Sequence, residues 1–182
     1  YPRFVPGQPP LLPGNERFPL SSVKSSQDPM RKSRSPLRRH PALQPLSRQH
    51  HRALLLAQLL KKDVPDYKGL PDTVESKIAY TRRVWETELA PHFAREEDRL
   101  IPAVRGRDEV LDALCDTIVR EHRAIATAID ELAQAPEGEA AALLDALGRL
   151  LEAHVRREER TWFEQIQRVV PEAVLQALDL EA

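Results

Sequence analysis

A single cysteine, Cys115, stands in the whole chain, so no internal disulfide can form and a small cystine-stapled secreted scaffold is excluded. A reducing cytoplasm is the expected location. No uninterrupted apolar run exceeds five residues, as in "ALLLA" at 53–57, which excludes both a membrane-spanning helix and the core of a signal peptide. Neither sign of charge is in excess: 27 Lys and Arg against 28 Asp and Glu leave a net charge of -1. Wholesale binding to nucleic acid or to an anionic membrane is not expected of such a chain. Gly-rich cofactor loops and nucleophile motifs are missing too, so a substrate-specific enzyme built on them has no support. Strand-like alternation is absent throughout.

What remains is an ordinary soluble composition, 41% apolar and 30% charged over 182 residues, enough for one domain with a sizeable core. Residues 1–29 hold seven of the sixteen prolines and no helical period, and read as a disordered leader outside the fold. Met30, the only methionine, reads as a possible true start. The basic cluster Arg31, Lys32, Arg34, Arg38 and Arg39 has no interleaved aromatics and reads as a solvated tail, closing a leader segment at residue 39.

From residue 40 to 170 the pattern is helical, with four long segments between short breaker-rich joints. The first runs from about Leu46 to Lys62. The second starts at an Asp72 cap with Glu75 three residues on, and continues to about Val104. Asp108 caps the third, which ends near Ala133. The fourth spans about Glu139 to Val170, and Pro171 opens a short tail helix within 171–182. Short joints between long amphipathic helices predict an all-α, antiparallel up-down four-helix bundle.

One histidine falls near the middle of each of the second, third and fourth segments, and a pair lies early in the first, where the height matches less well, about 12 residues after His50 against about 20 before His92. From His92 to the end of its helix, and from the start of the next helix to His122, the counts are about 12 and 14 residues; around the following joint they are about 11 to its end and 15 to His154. Such counts place the three at one level to within about two turns. Phase then sets direction. Ile78, Trp85, Leu89, His92, Glu96, Leu100 and Ala103 step by threes, fours or a seven along one stripe, and Leu147, Leu151, His154, Glu158, Trp162 and Val169 form another. Glu97 and Glu159 are rotated away. His122 shares its face with Ile118 and Ile125. In the first helix His50 lies with Leu46, Ala53 and Ala57, whereas His51 points toward Arg48 and Arg52. The text is also duplicated: "RQH" at 48–50 matches "REH" at 120–122, and "HFAREE" at 92–97 matches "HVRREE" at 154–159. Pro91, beside His92, is expected to kink its helix or to remove a backbone hydrogen bond.

Buried histidines and carboxylates are costly without partners. Four imidazoles and two carboxylates converging from four helices suit a pair of iron ions, each carboxylate bridging both metals and cancelling charge. Ferritin-type sites use the order E-x-x-H, the reverse of the H-x-x-x-E here.

The stretches "SRQHHRAL", "PHFAREEDRLIP", "VREHRAI" and "AHVRREERTWF", in that order, resemble the hemerythrin-like family of HHE cation-binding domains over roughly residues 40–170. The resemblance implies a four-helix bundle holding a non-haem di-iron centre, oxo-bridged, that binds oxygen or related small molecules or handles iron. It assigns His50, His92, Glu96, His122, His154 and Glu158 as metal ligands. Oxygen-carrying members have a further histidine one turn after the third-helix ligand, where this chain has Ala126, and take the carboxylate five residues after the last histidine, here Glu159. The chain is more similar to the iron-cluster-repair branch, without that branch's cysteine-bearing amino-terminal region. A diatomic ligand or peroxide is the expected partner; an iron-sensing regulator and a metal-free interaction module are the alternatives. Cys115 reads as a small buried thiol, and Trp85 and Trp162 as core residues flanking the site.

Overall fold

The computed structural model describes residues 38–65, 68–136 and 138–180. The leader expected over 1–29, with most of the basic cluster, lies outside the described residues. The rest is helical, as the periodicity predicts. A 3₁₀ turn at Pro41–Leu43 leads into α1, Gln44–Leu60. A continuous rod over 74–104, α2, is interrupted by π-helical turns at Trp85–Leu89 and Glu96–Leu100. Helix α3 is Glu109–Ala133. A second rod over 140–169, α4, has one π turn at Glu158–Trp162, and α5 is the short tail helix Glu172–Gln176.

The cross-helix pairs run in opposite directions, which makes sequential neighbours antiparallel. Gln49 meets His92 while Arg52 meets Glu88. Asp108 meets Gln165 while Glu121 meets His154. Arg39 meets Glu159 while Lys62 meets Asp145, so α4 closes back on α1. Among the described residues no helix is long and apolar enough to cross a membrane.

Local chemistry sets the ends. Asp108 caps α3 by accepting from the Leu111 amide at 2.9 Å, as expected. At α2 the cap is Thr73 and not Asp72. Thr73 Oγ1 accepts from the Ser76 amide at 3.2 Å while Ser76 Oγ accepts from the Thr73 amide at 3.1 Å. This is a reciprocal capping box one residue later than predicted, with serine where the sequence pattern looks for Glu75. Arg39 also departs from the solvated-tail reading. Its guanidinium lies 2.7 Å from Glu159 and 5.1 Å over the Phe163 ring, fixing the chain just before α1 against α4.

Expected and observed core stripes agree through the middle of both rods and then part by one residue. Leu89, His92, Glu96 and Leu100 are buried, but the stripe then continues at buried Val104 and not at Ala103, which is only half-buried. In α4 the burial continues from Trp162 through Ile166 to Val170, not Val169. A repeat of four drifts by about 40° per step in a regular α-helix. The π turns, where Ile101 N–H reaches Glu96 C=O and Phe163 N–H reaches Glu158 C=O, add a residue and remove that drift. Pro91 and Pro102 each follow a π turn by two residues. The backbone bond that proline cannot donate is thus accommodated in a locally widened helix.

The core divides into two apolar clusters. One contains Ala53, Phe93, Ile125, Leu151 and Val155; the other contains Leu46, Leu100, Ile118, Trp162 and Phe163. On every helix the switch from one to the other crosses a polar residue: His50 between Leu46 and Ala53, Glu96 between Phe93 and Leu100, His122 between Ile118 and Ile125, Glu158 between Val155 and Trp162. A polar layer therefore sits sealed between two hydrophobic plugs. Cys115 is fully buried in the second plug, as is Trp162, while Trp85 is half-buried and packs edge-on to Phe93.

Candidate metal centre

Each helix of the bundle sends at least one side chain into this layer, and all of the six predicted site residues meet there. His50, His92, His122 and His154 are nearly inaccessible, and Glu96 and Glu158 wholly so. His51, one residue from His50, is exposed. Glu158 faces the centre and Glu159 does not.

The imidazole Nε2 atoms point inward. His50 Nε2 lies 3.1 Å from Glu158 Oε2 and 3.1 Å from His92 Nε2. His92 Nε2 is 3.5 Å from Glu96 Oε1, and His122 Nε2 is 3.3 Å from Glu96 Oε2. His154 Nε2 is 3.2 Å and His122 Nε2 3.8 Å from Glu158 Oε1. The two imidazoles of His50 and His92 are hydrogen-bonded to each other, whereas the contacts to Glu96 and Glu158 are ion-pair distances without hydrogen-bond alignment. All four carboxylate oxygens, with His122 Nε2 and His154 Nε2, are buried and lack a hydrogen-bond partner among the described residues. Polar atoms so placed cost about 1–3 kcal/mol each unless something satisfies them. Their ligand atoms form two groups of four within 4.8 Å: His50, His92, Glu96 and Glu158, and Glu96, His122, His154 and Glu158. Nitrogen and oxygen donors with two shared carboxylates are a donor set that fits two divalent or trivalent transition-metal ions.

Outward, every Nδ1–H is engaged. His50 donates to Glu159 at 2.6 Å, His122 to Glu97 at 2.8 Å and His154 to Glu121 at 3.0 Å; His92 donates to the Gln49 amide oxygen at 2.8 Å. Each of the three carboxylates also accepts from an arginine, Arg39 on Glu159, Arg123 on Glu97 and Arg157 on Glu121. With Nδ1 held as donor, the neutral ring presents its Nε2 lone pair to the centre, the tautomer a metal requires. Phe93 stacks on His122 at 3.8 Å between centroids and Phe163 on His50 at 5.6 Å.

The sequence pattern did not assign Gln49, Glu97, Glu121 and Glu159 this work. The signal was nonetheless present, since each is the neighbour of a predicted ligand inside the duplicated "R-[QE]-H" and "H-x-x-x-E-E" units.

The electrostatics show how strongly the layer attracts positive charge. Burial lowers the His50 pKa, but the Glu158 charge and the carboxylates of Glu158 and Glu159 outweigh it and raise it to about 10. His122, also opposed by burial, is raised to about 10 by Glu158 and Glu96, and His154 to about 9 by Glu158 and Glu121. His92 goes the other way. Burial, with the neighbouring imidazoles, depresses it to about 3 despite Glu158. Burial and the Glu158 charge raise Glu96 to about 7, whereas His154 and His50 overcome burial at Glu158 and hold it well below the usual carboxylate range. Burial is likewise overcome at Glu159, which His50 brings down to about 2. Positive charge is drawn into a dry chamber, as protons when nothing else supplies it.

A cleft of about 490 Å³ between α1 and α2 reaches this layer at one corner. Gln49 and His92 line it, together with Arg48, Arg52, Glu88 and Arg95.

A search of curated proteins and a search of solved structures returned no match. The family model for the hemerythrin HHE cation-binding domain matches residues 42–166, a span that contains α1, α2, α3, all but the last three residues of α4 and every residue of the buried layer. The chain therefore belongs to the hemerythrin HHE cation-binding domain family.

Proposed function

We propose that this metal-binding helical protein holds two iron ions, His50 and His92 binding one, His122 and His154 the other, and Glu96 and Glu158 joining them. The observation that carries this reading is the set of buried, inward-facing nitrogen and carboxylate atoms without hydrogen-bond partners. Four histidines and two shared carboxylates give each ion about four protein bonds of a possible six, which leaves positions for exogenous ligands. When bound, iron supplies redox chemistry and affinity for oxygen, peroxide or nitric oxide. The chain's own residues orient the four imidazoles through their Nδ1–H bonds, neutralise the ions with two carboxylates, and exclude bulk water with apolar plugs above and below. Reaction with such small ligands, or iron handling, is the function this arrangement supports best. Ala126, in place of a further histidine one turn after His122, supports placing the protein outside the reversible oxygen carriers. A reducing compartment, the cytoplasm, suits its one buried thiol.

The test is metal analysis with an absorption spectrum on protein expressed with ample iron. Close to two irons per chain are expected, and Glu96→Ala or Glu158→Ala lowers occupancy of both positions because each carboxylate serves both. One tightly held zinc and no iron in the wild type would refute the reading.

A further inference from the structure

The duplication aligns the two halves of the layer residue by residue. His50 corresponds to His122, and both donate Nδ1–H to a glutamate, Glu159 and Glu97. His92 corresponds to His154, but here the outer partners differ. His154 donates to the Glu121 carboxylate, itself bridged to Arg157. His92 donates to the uncharged amide oxygen of Gln49. A carboxylate behind an imidazole makes the ring a stronger donor and adds negative charge near a bound cation; an amide does neither. The cleft between α1 and α2 adds a second, independent difference. It is lined by Gln49 and His92 and by no residue of the His122 and His154 half.

We propose that the two halves of the centre are unequal, the half built on His50 and His92 holding its ion more loosely. The inference rests on the two-ion reading above. Changing the partner behind a ligating histidine typically alters metal affinity by about 10–100-fold, which sets the size of the difference. The His122 and His154 half fills first and empties last. Gln49 is thus a positioning residue, acting on the ion only through His92.

The experiment uses the full chain freed of metal and titrated with Co²⁺, followed by visible absorption and calorimetry. The wild type should take up two ions in separate steps, the second about 10–100-fold weaker. Gln49→Glu should strengthen the weak step and close most of the gap. Glu121→Gln should weaken the strong step by a similar factor, bringing the two together from the other side. Repulsion between two cations also separates binding steps, but by an amount neither substitution changes; a gap that stays the same in both variants overturns the proposal. So does equal binding of two ions by the wild type. Uptake of fewer than two ions would sink the two-ion reading itself, a result distinct from two equal ones.

Discussion

Replacing Gly148 by alanine sets two effects of opposite sign against each other. In an exposed helix interior the change favours folding by about 0.8–1.0 kcal/mol, because glycine is the poorer helix former. Gly148 instead lies where α4 crosses α1. A Cβ built there meets the Ala57 carbonyl oxygen at 2.7 Å, Leu60 Cβ at 3.1 Å and Lys61 Cγ at 3.3 Å. The nearest atom is backbone and cannot rotate aside. Against an ordinary contact of 3.4 Å the helices must open by about 0.7 Å. Overpacking costs about 1–3 kcal/mol, and against a backbone atom that cannot rotate aside the upper part, about 2–3 kcal/mol, applies, so the net effect should be destabilisation by about 1–2 kcal/mol. In urea that is a midpoint lower by about 0.5–1 M. The same pair of helices carries His50 and Glu158, 3.1 Å apart. Metal affinity should therefore fall together with stability. Urea melts of the metal-free wild type and Gly148→Ala, with metal analysis of both as isolated, measure the two effects. An unchanged or raised midpoint would refute the close-approach argument.

His50→Ala should impair metal loading while His51→Ala leaves it near normal, because the first side chain is buried in the polar layer and the second is exposed; metal content of the two variants decides it. The metal-free protein should lose stability as pH rises. His50, His122 and His154 have folded pKa values of about 10, 10 and 9, above their ordinary 6.5, and Glu96 one of about 7, above 4.5. Their contribution is complete below the ordinary values and disappears as pH climbs through about 7 to 10, whereas His92, depressed to about 3, contributes above 6.5 and loses that contribution as pH falls toward 3. Thermal melts of the metal-free protein between pH 6 and 10 should show the decline, and a melting temperature rising over that range contradicts it. Arg95, in the wall of the cleft, should speed the approach of small anions to the iron-loaded centre. The azide association rate should fall with added salt and in Arg95→Glu, and a rate indifferent to both would place the access route elsewhere.

The helices and the inward faces of the site residues were legible because amphipathic period and histidine spacing survive without knowledge of neighbours. His50 and Glu158 face the layer and His51 and Glu159 do not, as phase alone predicts. The same logic failed beyond the π turns at Glu96–Leu100 and Glu158–Trp162, where Val104 and Val170 take the places expected of Ala103 and Val169. Phase arithmetic assumes one helical pitch, and a backbone bond from residue i to i−5 leaves no mark in the pattern of apolar residues. Thr73 took the cap from Asp72 because both are good N-cap residues with a polar residue three positions on, and only the Ser76 hydroxyl, accepting from the Thr73 amide, decides between them. Arg39 looked like solvated tail because its partners, Glu159 and Phe163, are more than a hundred residues away in sequence.

The outer partners explain why the duplicated units carry two polar residues side by side. Adjacent positions on a helix differ by about 100°, so when one points at the centre the next points toward a neighbouring helix. Gln49 on α1 holds His92 on α2, Glu97 on α2 holds His122 on α3, Glu121 on α3 holds His154 on α4, and Glu159 on α4 returns to His50 on α1. The links follow chain order and close into a ring. No imidazole is oriented by its own helix, so the correct tautomer and aim exist only once all four helices are assembled. A half-formed bundle offers exposed histidines but not a preorganised chamber, and binding of metal is thereby tied to the completed fold. The ring's last link is also where Arg39 grips Glu159, which makes the segment before α1 part of the device that aims His50.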